Sequence, residues 1–198
     1  MGLSEEYKRA NGLTPEAIAD TMLGFYARVE AQMASVEAAL AKSGLRLRCQ
    51  KGCSGCCRDG LTMSAAEAAV IHKLYPDIGH AQPHEPGACP FLDAHGACRI
   101  YEARPYICRT HGLPMRWFEE AGDIEVGETT EIACEVDDED EVEVRDICEF
   151  NAETIDVLEL SPEQCWNVGV AETQLALMNM CVYGEQAERV SMRSFFEN

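Results

Sequence analysis

Between residues 14 and 42 apolar side chains recur at steps of three and four: Ile18, Met22, Phe25, Val29, Met33, Val36 and Leu40. Such a stripe predicts a long amphipathic helix that buries one face against a core or a second copy of itself. Thr14 is placed to cap it, Pro15 suits its first turn, and Gly44 follows as a stop. Ser64-Ala65-Ala66-Glu67 is a capping box, and the short helix it opens should run to about Tyr75, ahead of Pro76. Ser161-Pro162-Glu163-Gln164 is a second such box. It predicts a helix through Cys165, Trp166, Val168, Leu175, Met178 and Val182, stopped by Gly184. A short amphipathic tail with Val190, Met192, Phe195 and Phe196 comes after it.

Elsewhere the helical period lapses. Residues 46–60 carry four cysteines and three glycines, and read as a loop held by something other than a hydrophobic core. The stretch from His80 to Pro90 is rich in Pro, Gly and His and is loop again. Arg99 to Arg109 suggests a short helical turn interrupted at Pro105. From Glu119 to Asp146 there are fourteen acidic residues and one basic one, Arg145. Within that run Ile124/Val126 and Val142/Val144 alternate with charged residues, which predicts a two-stranded hairpin turning at Asp137 to Glu141. Disorder is the competing expectation, because like charges this dense repel.

The charge and the termini narrow the function. A net charge of −19 opposes binding to nucleic acid or to an anionic membrane. No apolar run reaches the length of a membrane span. The N-terminus, Met1-Gly2-Leu3-Ser4-Glu5-Glu6, lacks the basic and apolar regions of a signal peptide, so a cytoplasmic location is expected. Eleven cysteines in a reducing compartment then point to metal or to catalysis rather than to disulfides. The acidic run could also serve as a docking surface for a basic partner protein, although a solvated loop is the simpler reading.

The densest string is Cys49-Gln-Lys-Gly-Cys53-Ser-Gly-Cys56-Cys57. Two or three intervening residues allow a tight turn to bring successive thiolates onto one ion, and Gly52 and Gly55 supply the backbone freedom. Cys89-Pro90-Phe91-Leu92, Cys98-Arg99-Ile100-Tyr101 and Arg104-Pro105-Tyr106-Ile107-Cys108-Arg109 follow. Adjacent side chains such as Cys56 and Cys57 point apart in extended backbone, which suggests two nearby sites or one polynuclear cluster. Arg58, Arg99, Arg104 and Arg109 are candidates to donate to thiolate sulfur. Tyr101 and Pro105 read as packing. Of the five histidines, His111 is the best placed to ligate, although a packed role is the simpler one. Cys165 and Cys181 sit in an apolar helical pattern and are expected in the core. Cys134, beside the acidic tract, is not expected to ligate.

The combined pattern C-x3-C-x2-C-C, C-P-F-L and C-x-I-Y-E-x-R-P-x-x-C-R resembles the YkgJ-type cysteine-cluster (CxxCxxCC) family over Cys49 to about Pro114. That family is described as zinc- or iron-chelating domains, so the resemblance implies metal binding. Ile147-Cys148-Glu149-Phe150-Asn151 resembles a later family segment in which a cysteine precedes an Asn-Phe-like pair, and adds Cys148. The same cluster motif occurs in the flagellin lysine methylase family. Cys49-x3-Cys53-x2-Cys56 also has radical-SAM spacing, but no sheet-rich barrel pattern and no Gly-Gly-Glu follow it.

Taken together, the expectation is a mainly α, loop-rich, metal-stapled single domain with a small acidic β-hairpin. Residues 1–45 supply the N-terminal helix, 46–115 the cysteine-cluster region, 116–147 the acidic segment and 148–198 the C-terminal helices. The two long helices should pack together, and homodimerisation through the first is an open option. Cys49, Cys53, Cys56, Cys57, Cys89, Cys98, Cys108 and Cys148 are the expected ligands. Zinc or iron is the expected metal, with a 4Fe–4S cluster also compatible because soft thiolates suit both. The alternative function is an iron–sulfur-dependent redox or protein-modifying enzyme.

Overall fold

The computed structural model describes residues 12–50, 52–120, 131–135, 141–184 and 187–197. In chain order its elements are α1 (Pro15–Lys42), β1 (Thr62–Met63), α2 (Ala65–Leu74), α3 (Tyr106–Thr110), β2 (Met115–Glu120), β3 (Glu131–Glu135) and β4 (Glu141–Asp146). They continue with α4 (Glu149–Ala152), β5 (Trp166–Asn167), α5 (Val168–Tyr183) and β6 (Val190–Ser191). Short 3-10 turns intervene, among them Tyr101–Ala103 and Pro162–Gln164.

The long N-terminal helix forms as its stripe predicts. Ile18, Met22, Phe25, Val29, Val36 and Leu40 are buried and Met33 half-buried. The Ala17 N–H donates to Thr14 Oγ1 at 3.2 Å, and the helix closes where Leu45 N–H reaches back to Leu40 O at 3.1 Å. The capping box of α2 is complete, with Glu67 Oε2 accepting the Ser64 N–H at 2.9 Å. Glu67 is itself buried and also accepts the Tyr106 N–H at 2.7 Å, so the start of α2 holds the start of α3.

Contacts divide the chain into two compact units. The first comprises residues 1–28, 51–106 and 174–198; the second comprises 29–50 and 107–173. In the first, the two-stranded antiparallel sheet pairs Thr62 with Ser191 and Met63 with Val190. Its core includes Met22, Phe25, Met63, Ile71, Phe91, Ile100 and Met192, all nearly inaccessible. The second unit is built on a four-stranded sheet in the order β3–β4–β2–β5, antiparallel except for the β2–β5 pair.

The fold is therefore mixed α and β rather than mainly α. The strands escape a sequence reading because they are short or because their partners are distant. β5 is two residues long and is held parallel to β2, with Met115 opposite Trp166. β4 is a central strand whose Val142, Glu143, Val144 and Arg145 are all buried, which blurs simple alternation. Val142 and Val144 do lie in a strand, as expected, but its partners are β2 and β3. Ile124 and Val126, and Asp137 to Asp140 of the expected turn, lie outside the described residues.

The helix expected from Ser161 is also broken. The capping box is present, with Gln164 Oε1 accepting the Ser161 N–H at 2.9 Å. It closes only a 3-10 turn, because the Trp166 N–H is drawn to Pro114 O at 2.7 Å and the chain extends into β5 before α5 begins. Cys165 is buried, as expected of a core thiol. Cys181 is exposed on α5 and is not in the core.

Candidate metal centre

In the first unit the chain after Gly52, which needs its left-handed φ of 96°, makes two tight turns through the cysteine string. The Cys57 N–H donates to Ser54 O at 3.0 Å and the Arg58 N–H to Cys56 O at 2.9 Å. Cys57 then offers its carbonyl to the Cys89 N–H at 2.9 Å, beside an antiparallel bridge between Arg58 and Ala88. That bond sets the backbones of Cys57 and Cys89 side by side. The chain next forms a hairpin, in which the Arg99 N–H reaches Phe91 O and the Asp93 N–H reaches Ala97 O, each at 2.9 Å. That hairpin brings Cys98 back toward Cys89.

The two thiols have matching surroundings. The Phe91 N–H bonds the Cys89 thiol and the Ile100 N–H bonds that of Cys98, each from two residues further on. An N–H bonded to sulfur favours the charged, thiolate form. Burial is the largest influence on both and pushes their pKa values up. The N–H bonds act the other way, and Arg104 and Arg99 favour the Cys98 thiolate. The Cys98 charge raises Cys89 further. Cys53 is exposed, while Cys56 and Cys57 are half-buried.

Arg99 and Arg104, whose charges favour the Cys98 thiolate, also hold the backbone. Arg99 clamps carbonyls, donating to Gln82 O and Leu92 O at 2.8 Å and to Pro90 O at 3.0 Å. Arg104 donates to Tyr101 O at 3.0 Å and lies 3.7 Å over the Tyr101 ring. In the second unit the buried Arg109 pairs with Glu30. Arg58 is exposed.

In the second unit Asn151 links the segments that carry Cys49 and Cys148. Asn151, with no exposed surface, accepts the Arg48 N–H at 2.7 Å and donates to Gly112 O at 2.8 Å. Its own N–H reaches Cys148 O at 2.8 Å, and Cys148 is the N-cap of α4. Cys49 lies hard against Gly112, where an added Cβ would come within 2.6 Å of both its Cβ and its Sγ. Gly112 follows Cys108 by four residues, with the His111 N–H bonded to Ile107 O at 3.0 Å. Cys49 is exposed, and Cys108 and Cys148 are half-buried.

Sequence reasoning missed Asn151 as a clamp and Gly112 as a contact point, although Asn151 stood in the string Cys-Glu-Phe-Asn. It missed Glu67 as a long-range anchor too. Among the described residues, no three His, Cys, Asp or Glu side chains form a ready-made cage for one ion. The donor set nonetheless suits a thiophilic metal: clustered thiols, and backbone N–H groups already bonded to two of the sulfurs. Cys134 falls in β3, whose side chains are not described, and no helix among the described residues is long and apolar enough to cross a membrane.

No curated protein and no solved structure gave a match to the chain. A family model does match, over residues 48–149, half of the chain and the whole span from Cys49 to Cys148. Its description is "CxxCxxCC: Putative zinc- or iron-chelating domain". The match takes in all eight candidate cysteines and both N–H-supported thiols, and the chain belongs to this CxxCxxCC family of metal-binding domains.

Proposed function

We propose that this chain holds zinc or iron through thiolates drawn from Cys49, Cys53, Cys56, Cys57, Cys89, Cys98, Cys108 and Cys148, and that the metal is part of the fold. The observation that carries this reading is the pair of matched loops, in which Phe91 and Ile100 each present an N–H to a cysteine two residues earlier. Two such loops, laced by the bond from the Arg99 N–H to Phe91 O, would supply two of the thiolates of a four-thiolate site. Zinc bound by four thiolates would be a closed, structural ion without an open position for substrate. Among the described residues the irregular stretch 46–60 buries no large apolar side chain of its own, which supports a metal acting as its staple. Half-buried thiols in this number suit a reducing compartment, in keeping with a cytoplasmic setting.

The test is anaerobic purification with zinc, iron and acid-labile sulfide measured together with the visible spectrum. Stoichiometric zinc or iron is the expected result. Sulfide with a broad visible band would assign an iron–sulfur cluster instead of a mononuclear ion. Protein that retains neither metal, and whose Cys89 and Cys98 are alkylated as fast as free cysteine, would sink the reading.

A further inference from the structure

Residues 190–196 lie beyond the matched segment, yet they are tied to both cysteine loops of the first unit. β6 pairs with β1 shortly after the Cys53–Cys57 string, and the Met192 N–H donates to Leu61 O at 3.0 Å. Arg193 then reaches into the cysteine loops. Its Nε and Nη2 grip the two oxygens of Asp59 at 2.9 and 2.7 Å. The same guanidinium donates to His84 O and to Ala88 O, each at 3.2 Å. Asp59 follows Cys57 by two residues, and Ala88 immediately precedes Cys89. Asp59 also accepts the Gly87 N–H at 3.2 Å, so one ion pair joins the 57–60 stretch to the 84–89 stretch.

The aromatic end of the tail reinforces the tie. Phe195 and Phe196 pack on Phe91, with ring centroids 5.4 and 5.3 Å away, and Phe91 is the residue whose N–H bonds the Cys89 thiol. Arg99, next to Cys98, lies 5.7 Å from the Phe196 ring. Phe195 O sits so close to Gly79 that a Cβ there would come within 2.6 Å of it.

We propose that Val190–Phe196 is a strap belonging to the metal centre, in which Arg193 is a positioning residue that holds the Cys57 and Cys89 loops in register and slows loss of the metal. The claim rests on the metal reading above. A metal held by two loops leaves when the loops part, and the strap is what resists their parting. Arginine is required because its planar fork spans both carboxylate oxygens and still reaches two carbonyls, which a lysine ammonium cannot do at once.

The test uses the full chain loaded with zinc, with release into excess chromogenic chelator followed over time. Arg193→Ala should release zinc about tenfold faster or more, the range typical of losing a partner that orients a metal ligand. Arg193→Lys should fall between that variant and the wild type. Release at the wild-type rate from folded Arg193→Ala overturns the proposal; should that variant not fold, Arg193→Lys decides in its place. A second measurement needs no metal. In zinc-free protein, amide exchange at Cys89 and Phe91 should quicken in Arg193→Lys while exchange in α1 stays unchanged, and equal exchange at Cys89 and Phe91 overturns the strap. A wild-type chain that takes up neither zinc nor iron removes the metal reading, and the exchange measurement alone then judges the strap.

Discussion

The carboxamide of Asn151 has both ends committed inside the second unit, to the Arg48 N–H and to Gly112 O. Truncating it to alanine leaves the buried Gly112 O and the partly buried Arg48 N–H without their partner, at about 1–3 kcal/mol for the buried acceptor. Asn151→Ala should accordingly lower the urea midpoint clearly. An unchanged midpoint in the alanine variant would show that the clamp is not structural. Why this residue stayed hidden is plain from its partners, which lie 103 and 39 residues away. The cysteines were easier to find, since their spacing is local. Arg193 was harder still: in sequence the tail shows only amphipathicity, and Asp59 is 134 residues distant. That pairing holds the Asp59 carboxyl at about 2, below its ordinary 3.8.

At the level of elements, α1 and α2 were legible because the signal for each is contained within it: a stripe for one, a capping box for the other. α5 was half legible. Its stop at Gly184 and its apolar content were readable, but the extended break at Trp166 depends on Pro114, and the exposure of Cys181 depends on which side of the helix is covered. β4 is legible through Val142 and Val144, but nothing in the sequence signals that its polar residues are buried. Glu143 Oε1 accepts from Arg145 Nε at 2.7 Å and its Oε2 from Arg116 at 3.1 Å. Arg145 goes on to Val157 O at 3.0 Å and Leu160 O at 2.6 Å, fastening the next turn to the sheet. Removing one member of a buried ion pair leaves the other uncompensated, at about 3–5 kcal/mol. Glu143→Ala should therefore lower the melting temperature sharply, whereas Glu159→Ala, at an exposed position, should not. Equal melting of the two variants would contradict this account of the strand.

For the whole molecule, the thiols give a dependence on pH that tells loaded from metal-free protein. Burial lifts Cys89, Cys98 and Cys165 above the ordinary value of 9.0. A group whose pKa is raised by folding stabilises the fold fully below its unfolded value, and that stabilisation is lost as pH climbs toward the folded value. Metal-free protein should thus lose urea resistance from about pH 9 upward. A bound metal has already taken the protons from its ligands, so the loaded protein should lose less. Matching alkaline losses in both forms would argue that Cys89 and Cys98 are not ligands. Stripping the metal at neutral pH should also lower the urea midpoint, because a ligand bound only by the folded chain stabilises it by mass action.

The sheet order has one more consequence. Among the described residues β3 has a neighbour on one side only. A strand edge left open offers its N–H and C=O groups to any other chain and is a natural starting point for aggregation. Glutamates bound this strand at positions 131 and 135, within a run of fourteen acidic residues. Carboxylates there are expected to act as an electrostatic guard against copies of the chain stacking along β3. The guard lasts only while the carboxylates are ionised: in mild acid the same strand becomes the seam along which the protein would come out of solution.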